Sequence, residues 1–322
     1  MWKKIILTGL AVVIAAAGSV VGYLAMKEPD MVEPSSQRVP MTPERIARGK
    51  HLFEHVCDCG GCHSERDFSR FGGPIVAEGV GWVFPKEMGL PGTIVAPNLT
   101  PDPETGLGKW TDGEKIRAIR EGVDRDGRAL FPMMPYEVFR KMSDEDVESV
   151  VAYLNSLPPV RRKLPRTSVD FPASLLIKST PKPAGSVPPP DPSNRKAHGE
   201  YLATIGGCMD CHTPVEKGRL VREKLLGGGQ EFVTPWGKVV TANISKDTST
   251  GIGGLSEDQF IDKFYQYRDY VEKGSPKVGK ESFTLMPWLG FSQLSRDELG
   301  AIYTFLMSQK AVYNSVETHP AQ

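Results

Sequence analysis

Cys59-Gly60-Gly61-Cys62-His63 and Cys208-Met209-Asp210-Cys211-His212 repeat one pattern, C-x-x-C-H, in a chain of 322 residues that has five cysteines in all. It is the sequence at which c-type haem is attached. Two thiols one helical turn apart can each close a thioether on a haem vinyl group, and the next residue presents an imidazole to the iron. This reading assigns Cys59, Cys62, Cys208 and Cys211 to covalent attachment of two haem c groups, and His63 and His212 to the two irons. Structural zinc would use the same thiols but leaves the histidine after each pair without a reason.

The pattern around the motifs repeats as well. Asn98-Leu99-Thr100-Pro101-Asp102 leads to Thr105-Gly106-Leu107-Gly108, and Asn243-Ile244-Ser245-Lys246-Asp247 leads to Thr250-Gly251-Ile252-Gly253 with no gap. Each copy begins with an apolar, glycine-containing segment (Gly49 to Val56; Gly199 to Ile205). Thr111 to Glu114 and Ser256 to Gln259 read as capping boxes that start a helix. A last helix begins at Ser143 and Ser295, each with an acid three residues on, the glutamate copy being the standard capping box. Val147, Val150, Val151 and Leu154, and Leu299, Ile302, Tyr303 and Leu306, then follow helical spacing. Little in the chain alternates as a strand does, and the glycine-rich stretches Gly72 to Pro97 and Gly227 to Thr241 read as loops that wrap a cofactor.

Met134-Pro135-Tyr136 and Met286-Pro287-Trp288 lie 71 and 74 residues after the two motif histidines (134 − 63 and 286 − 212). A thioether is a soft ligand that favours reduced iron, so Met134 and Met286 are the candidate sixth ligands. Met133 competes with Met134, and the proline shared with the second copy favours Met134.

Lys3 and Lys4 precede an uncharged stretch from Ile5 to Met26, long enough to cross a bilayer as a helix. A signal anchor is the first reading; cleavage at the small residues Ala15 to Ser19 is the alternative. Either way the basic residues stay on the cytoplasmic side and the rest crosses, which places the haem domains on the periplasmic side of the cytoplasmic membrane. Lys plus Arg (39) equals Asp plus Glu (39), so net charge gives no reason to expect nucleic acid. Leu164 to Pro192 is rich in proline and reads as an extended connector. From Arg161 to Lys196 it carries eight basic and two acidic residues.

Each half resembles a class I cytochrome c domain. The order of haem motif, Asn-[Ile/Leu]-[Thr/Ser]-x-Asp, Thr-Gly-[Ile/Leu]-Gly and Met-Pro-[Tyr/Trp] is similar to the cytochrome c subunits of bacterial membrane-bound alcohol and gluconate dehydrogenases. The resemblance implies an all-α chain of two tandem cytochrome c-like domains after an N-terminal transmembrane helix. The expected boundaries are 1–30 for the anchor, 42–160 for domain one, 161–195 for the basic linker and 196–312 for domain two. That family typically carries three such domains and this chain carries two. The second copy also has seven more residues between Asn and Met (43 against 36), within Tyr265 to Ser282. These read as an exposed loop, with a docking element as the other possibility.

Iron held by His and Met has no open position for substrate, so the expectation is transfer of single electrons without a substrate site of its own. Implied partners are a dehydrogenase or quinol-oxidising complex on one side and a terminal oxidase or soluble cytochrome on the other. The competing expectation is a haem enzyme, either a di-haem peroxidase or a thiosulfate-oxidising cytochrome using Cys57. Cys57 is otherwise a spectator, a free thiol, or the partner of Cys62 in a longer attachment spacing. His51 and His55 read as residues of an exposed polar face, and His319 as part of a mobile tail. Arg161, Arg162, Lys163 and Arg166 either keep the linker solvated, dock an acidic partner, or lie against haem propionates.

Overall fold

A computed structural model describes residues 2–216 and 218–320. The expected anchor segment 1–30, whose Met1 lies outside the described residues, forms helix α1, Trp2–Met26. At 1.5 Å per residue its 25 residues reach ~37 Å, more than the ~30 Å of a bilayer core. None of them is buried, so α1 is not a core helix of the globular part.

The first half begins with α2, Pro43–His51, capped by the Thr42 hydroxyl and started by a proline that needs no N–H partner there. It runs into a π-helical turn, Leu52–Val56, and then into α3, Cys59–His63, which is the first haem motif. Short strands β1 (Glu65–Arg66), β2 (Ile75–Ala77), β3 (Trp82–Val83), β4 (Gly92–Thr93) and β5 (Val95–Ala96) follow. Then come α4 (Asp112–Glu121) on its Thr111–Glu114 capping box, α5 (Tyr136–Phe139) just after Met134-Pro135, and α6 (Asp144–Ser156).

The connector contains β6 (Ser168–Val169) and α7 (Ala173–Leu176). The second half repeats the order: α8 (Arg195–Ile205), α9 (Cys208–Cys211), β7 (Val215–Glu216), β8 (Arg219–Leu220), β9 (Glu231–Thr234) and β10 (Gly237–Val240). After them come α10 (Glu257–Tyr265), α11 (Arg268–Lys273), α12 (Trp288–Phe291) and α13 (Arg296–Ser308).

The first and last helices of each half cross at a glycine. A Cβ on Gly49 would lie 1.8 Å from the Ser149 carbonyl oxygen, and one on Gly199 would lie 1.8 Å from that of Ala301. The backbones touch at these points, so α2 packs on α6 and α8 on α13 at a distance only glycine permits.

Helices dominate, but the chain is not purely α. Among the described residues the strands pair as five antiparallel two-stranded ladders, β1–β2, β3–β5, β4–β6, β7–β8 and β9–β10. The glycine-rich stretches expected to be plain loops supply most of them. A segment that must turn back on itself has unpaired backbone groups, and short ladders satisfy these without a continuous alternating pattern.

The connector is not simply extended either. β6 pairs with β4, Val95 N–H donates to the Thr167 hydroxyl at 3.1 Å, and Arg120 donates to the Gly185 carbonyl at 2.7 Å. It is a strap laid across the first half. Its basic residues meet acidic ones beneath: Arg161 with Glu104 at 2.6 Å, Arg162 with Glu65 at 2.7 Å, and Arg166 with Asp126 at 3.6 Å. Proline removed long helix from this segment but not a helical turn.

The halves clasp each other reciprocally. α5 packs on α8, and α12 packs on the π-helical turn that ends α2. One apolar core runs through both, including Leu52, Phe53 and Val56 from the first half and Leu202, Ile205 and Phe291 from the second. His51 Nε2 lies 2.8 Å from Glu298, and the Tyr201 hydroxyl donates to Asp146 at 2.6 Å. His51 and Tyr201 each stand two residues after the crossing glycine, and Glu298 and Asp146 each three residues after the serine cap. Contact and counter-contact are thus the same pair of positions exchanged, as in a two-fold interface.

The extra residues of the second half join this clasp. Phe71 stacks on Tyr267 at 4.9 Å and meets Tyr270 edge-on, while Phe71 N–H donates to the Pro276 carbonyl and Val278 N–H to that of Ser69. The Tyr265 to Ser282 segment is mostly exposed, as expected, but it is not a plain loop: it carries α11 and rests on the first half through these contacts. The tail is fastened too: Val240 N–H donates to Thr318, and His319 Nε2 lies 3.1 Å from the Phe283 carbonyl.

Candidate haem sites

Both motif helices start from a left-handed residue, Asp58 (φ 46°) and Gly207 (φ 71°), which turns the chain sharply out of the preceding helix. His63 and His212 are buried. His63 Nδ1 lies 3.0 Å from the Pro97 carbonyl oxygen and His212 Nδ1 2.7 Å from that of Ala242. A carbonyl accepts only, so Nδ1 carries the proton and Nε2 keeps its lone pair for a metal. Burial holds both imidazoles below the usual histidine range, with the carbonyl bond opposing it, which favours the neutral ligand form.

The accepting carbonyls belong to the residues just before the repeated asparagines, and the repeat motif explains how they are held. Asn98 donates from Nδ2 to the Val160 carbonyl at 2.8 Å and accepts at Oδ1 from Thr100 N–H at 3.0 Å. Asn243 does the same with Val312 at 2.7 Å and Ser245 at 2.9 Å. Asp102 and Asp247 accept from the backbone N–H of Thr105 and Thr250 at 2.6 and 2.7 Å. A Cβ on Gly106, Gly108, Gly251 or Gly253 would fall 2.0–2.4 Å from a backbone carbonyl oxygen. Asn, Asp, Thr and the two glycines thus form one knot. It ties the histidine's acceptor to the chain leaving the last helix of the same half.

Met134 and Met286 sit in matching turns. The Met134 carbonyl accepts from Tyr136 N–H and the Met286 carbonyl from Trp288 N–H, each at 2.8 Å, and a short helix follows both. A cavity of about 580 Å³ in the first half is lined by Cys59, Cys62, His63, Met133 and Met134. The apolar side chains of Phe53, Ile94, Leu107 and Ile119 line it as well. Such a volume lies within the range of small-molecule sites. Two attachment thiols, a neutral imidazole and a thioether around one largely apolar cavity are the donor set a haem c requires. Cys208, Cys211, His212 and Met286 hold the same positions in the repeat of the second half, where Cys208, Met286 and Trp288 pack on the shared core.

The strap supplies Leu164, Arg166, Thr167 and Ile177 to the first cavity wall. Cys57 lines it too, at the end of the π-helical turn. The first half has one residue more than the second between crossing glycine and motif (59 − 49 = 10; 208 − 199 = 9), and the π turn absorbs it. Hydrogen bonding to Cys59 and burial push the Cys57 thiol well up.

Sequence reading did not find the acceptor carbonyls of Pro97 and Ala242, since any residue type supplies a carbonyl. It also missed Glu298 and Asp146 as interface partners, and it placed His51 on an exposed face. The signal was available in the repeat itself, because His51 and Tyr201 occupy equal positions.

Residues 46–158 match the cytochrome c family. It is 32% identical over 216 residues to the cytochrome c subunit of a quinone alcohol dehydrogenase from Gluconacetobacter polyoxogenes, covering 62% of this chain and 43% of that protein. It is 34% identical to a nicotinate dehydrogenase component of Pseudomonas putida over 90% of this chain and 24% of that one. It is 28% identical to a dihaem c-type cytochrome of Cereibacter sphaeroides, covering 62% and 67%. The chain thus spans less than half the length of the first two relatives.

Proposed function

We propose that this chain is a membrane-anchored di-haem electron carrier of the periplasmic side, with cytochrome c domains at 42–160 and 196–312 joined by the 161–195 strap. The observation that carries the reading is the duplicated donor set: two C-x-x-C-H helices, each with its histidine Nδ1 on a backbone carbonyl and each matched by a methionine turn. Cys59 and Cys62, and Cys208 and Cys211, would attach the two haems; His63 and Met134, and His212 and Met286, would hold the irons. Bound there, haem supplies a one-electron couple whose potential thioether ligation raises. The chain's own residues orient the imidazole, keep it neutral and surround the ring with apolar side chains. Orientation of the haem domains rests on Lys3 and Lys4 in the first turn of α1, ahead of its apolar stretch.

The dehydrogenase subunits among the relatives support a dehydrogenase as electron donor, with a quinol-oxidising complex as the other candidate and a terminal oxidase or soluble cytochrome as acceptor. Near-infrared absorption of the oxidised protein tests the proposal. Methionine-to-iron bands from both haems are expected, with no turnover of peroxide or thiosulfate. A high-spin or thiolate-ligated haem overturns the carrier reading in favour of an enzyme.

A further inference from the structure

The strap has a second face. Where it passes the end of α1, Lys178 Nζ donates to the Ala25 carbonyl at 2.8 Å, and Lys27 Nζ donates to the Ser179 hydroxyl at 3.1 Å. The α7 turn packs directly on α1 there. Beside these bonds two large apolar side chains project without cover, Phe171 at 70% and Leu176 at 57% exposure. Water is a poor environment for both, and the neighbouring residues do not close over them. The level of this turn relative to a bilayer is marked by α1 itself. Its exposed aromatics, Trp2 and Tyr23, stand one at each end, as in the aromatic belts of membrane helices. Tyr23 is two residues from the carbonyl that holds Lys178.

We propose that the 171–179 turn is a second membrane contact, with Phe171 and Leu176 dipping into the headgroup layer of the bilayer that α1 crosses. The inference rests on the reading of α1 as a membrane span. An exposed pair of apolar side chains beside lysines at the exit of a span has the composition of an interfacial anchor. The lysines suit the anionic headgroups while the apolar pair reaches the acyl boundary. The same segment directs Ser174 and Ile177 toward the first cavity. The strap therefore joins the first cavity, whose wall it helps to form, to this second membrane contact.

Photocrosslinking of the full chain in vesicles of phosphatidylethanolamine and phosphatidylglycerol tests this. Benzoylphenylalanine replaces Phe171, Leu176, the α1 residue Val13, or Val233, an exposed residue of β9 in the second half, and adducts are identified by mass spectrometry. The expected result is lipid adducts at 171, 176 and 13 and none at 233. Lipid adducts at 13 but not at 171 and 176 overturn the second contact and leave the span intact. Adducts at 171 and 176 to a second copy of the chain, or lipid adducts at 233 in equal yield, also overturn it. Absence of lipid adducts at 13 overturns the span, and the second contact with it.

Discussion

The first and second halves are built on one plan and finished differently. Both cross their end helices at a glycine, both direct the motif histidine to a carbonyl before an asparagine, and both tie that asparagine to the chain after the last helix. They diverge where the chain leaves that knot. After Val160 it becomes the strap over the first cavity; after Val312 it becomes a tail pinned near β10. The first half also carries the π turn with Cys57, and the second carries the segment that rests on the first. What is shared holds the histidines, and what differs sets what surrounds each site.

The largest expected effect tests the shared crossing. Gly49→Ala and Gly199→Ala each place a methyl group 1.8 Å from a carbonyl oxygen, so the helix pair must separate. Each should cost more than ~3 kcal/mol in denaturant unfolding. Sensitivity of one position alone would mean the crossing is not equivalent in the two halves.

Next come Asn98→Ala and Asn243→Ala, which leave the buried groups of the knot without partners at a cost of ~2–3 kcal/mol. Each should also loosen its own histidine, visible as a changed haem spectrum in that half only. A change at the other haem would break the view of two separate knots.

The clasp itself is tested at Glu298. Burial alone would raise this carboxyl, but hydrogen bonds and charge from His51, together with bonds from Ser295, outweigh it and bring it down to about 2. A lowered carboxylate contributes stability that is present above its ordinary value of 4.5 and is lost as pH falls toward about 2. Glu298→Gln should therefore cost ~2 kcal/mol at neutral pH and flatten stability across that acid window. An unchanged acid profile would contradict the role assigned to the His51 contact.

The smallest effect is expected from Tyr201→Phe, about 1 kcal/mol. Arg48 of the same half still holds Asp146 through two bonds of 2.8 and 2.9 Å, so the buried carboxylate keeps a partner. Thermal unfolding beside Glu298→Gln ranks the two contacts. A Tyr201→Phe loss larger than that of Glu298→Gln would reverse the order.

The motifs, the order of helices and the capping boxes were legible because each depends on residue type at fixed spacing: Thr111 with Glu114, Ser256 with Gln259 and Ser295 with Glu298 all form reciprocal boxes. At Ser143 the acid is an aspartate engaged by Arg48 and Tyr201, and no reciprocal box forms. The short ladders, the strap and the contacts of the Tyr265 to Ser282 segment were not legible. They depend on which surfaces meet, and neither a proline-rich composition nor a charged insertion names its partner. Leu226 makes the point sharply. It is buried with φ 63°, where the first half places Gly79 at 68°; packing holds a conformation that its residue type disfavours.

The most direct test of the duplicated site is the intact mass of the purified chain and of two variants, Cys59→Ala/Cys62→Ala and Cys208→Ala/Cys211→Ala. Two covalent haems are expected on the parent and one on each variant, with the surviving haem keeping its methionine-to-iron band. A single haem on the parent, or loss of both from either variant, would contradict the duplicated site.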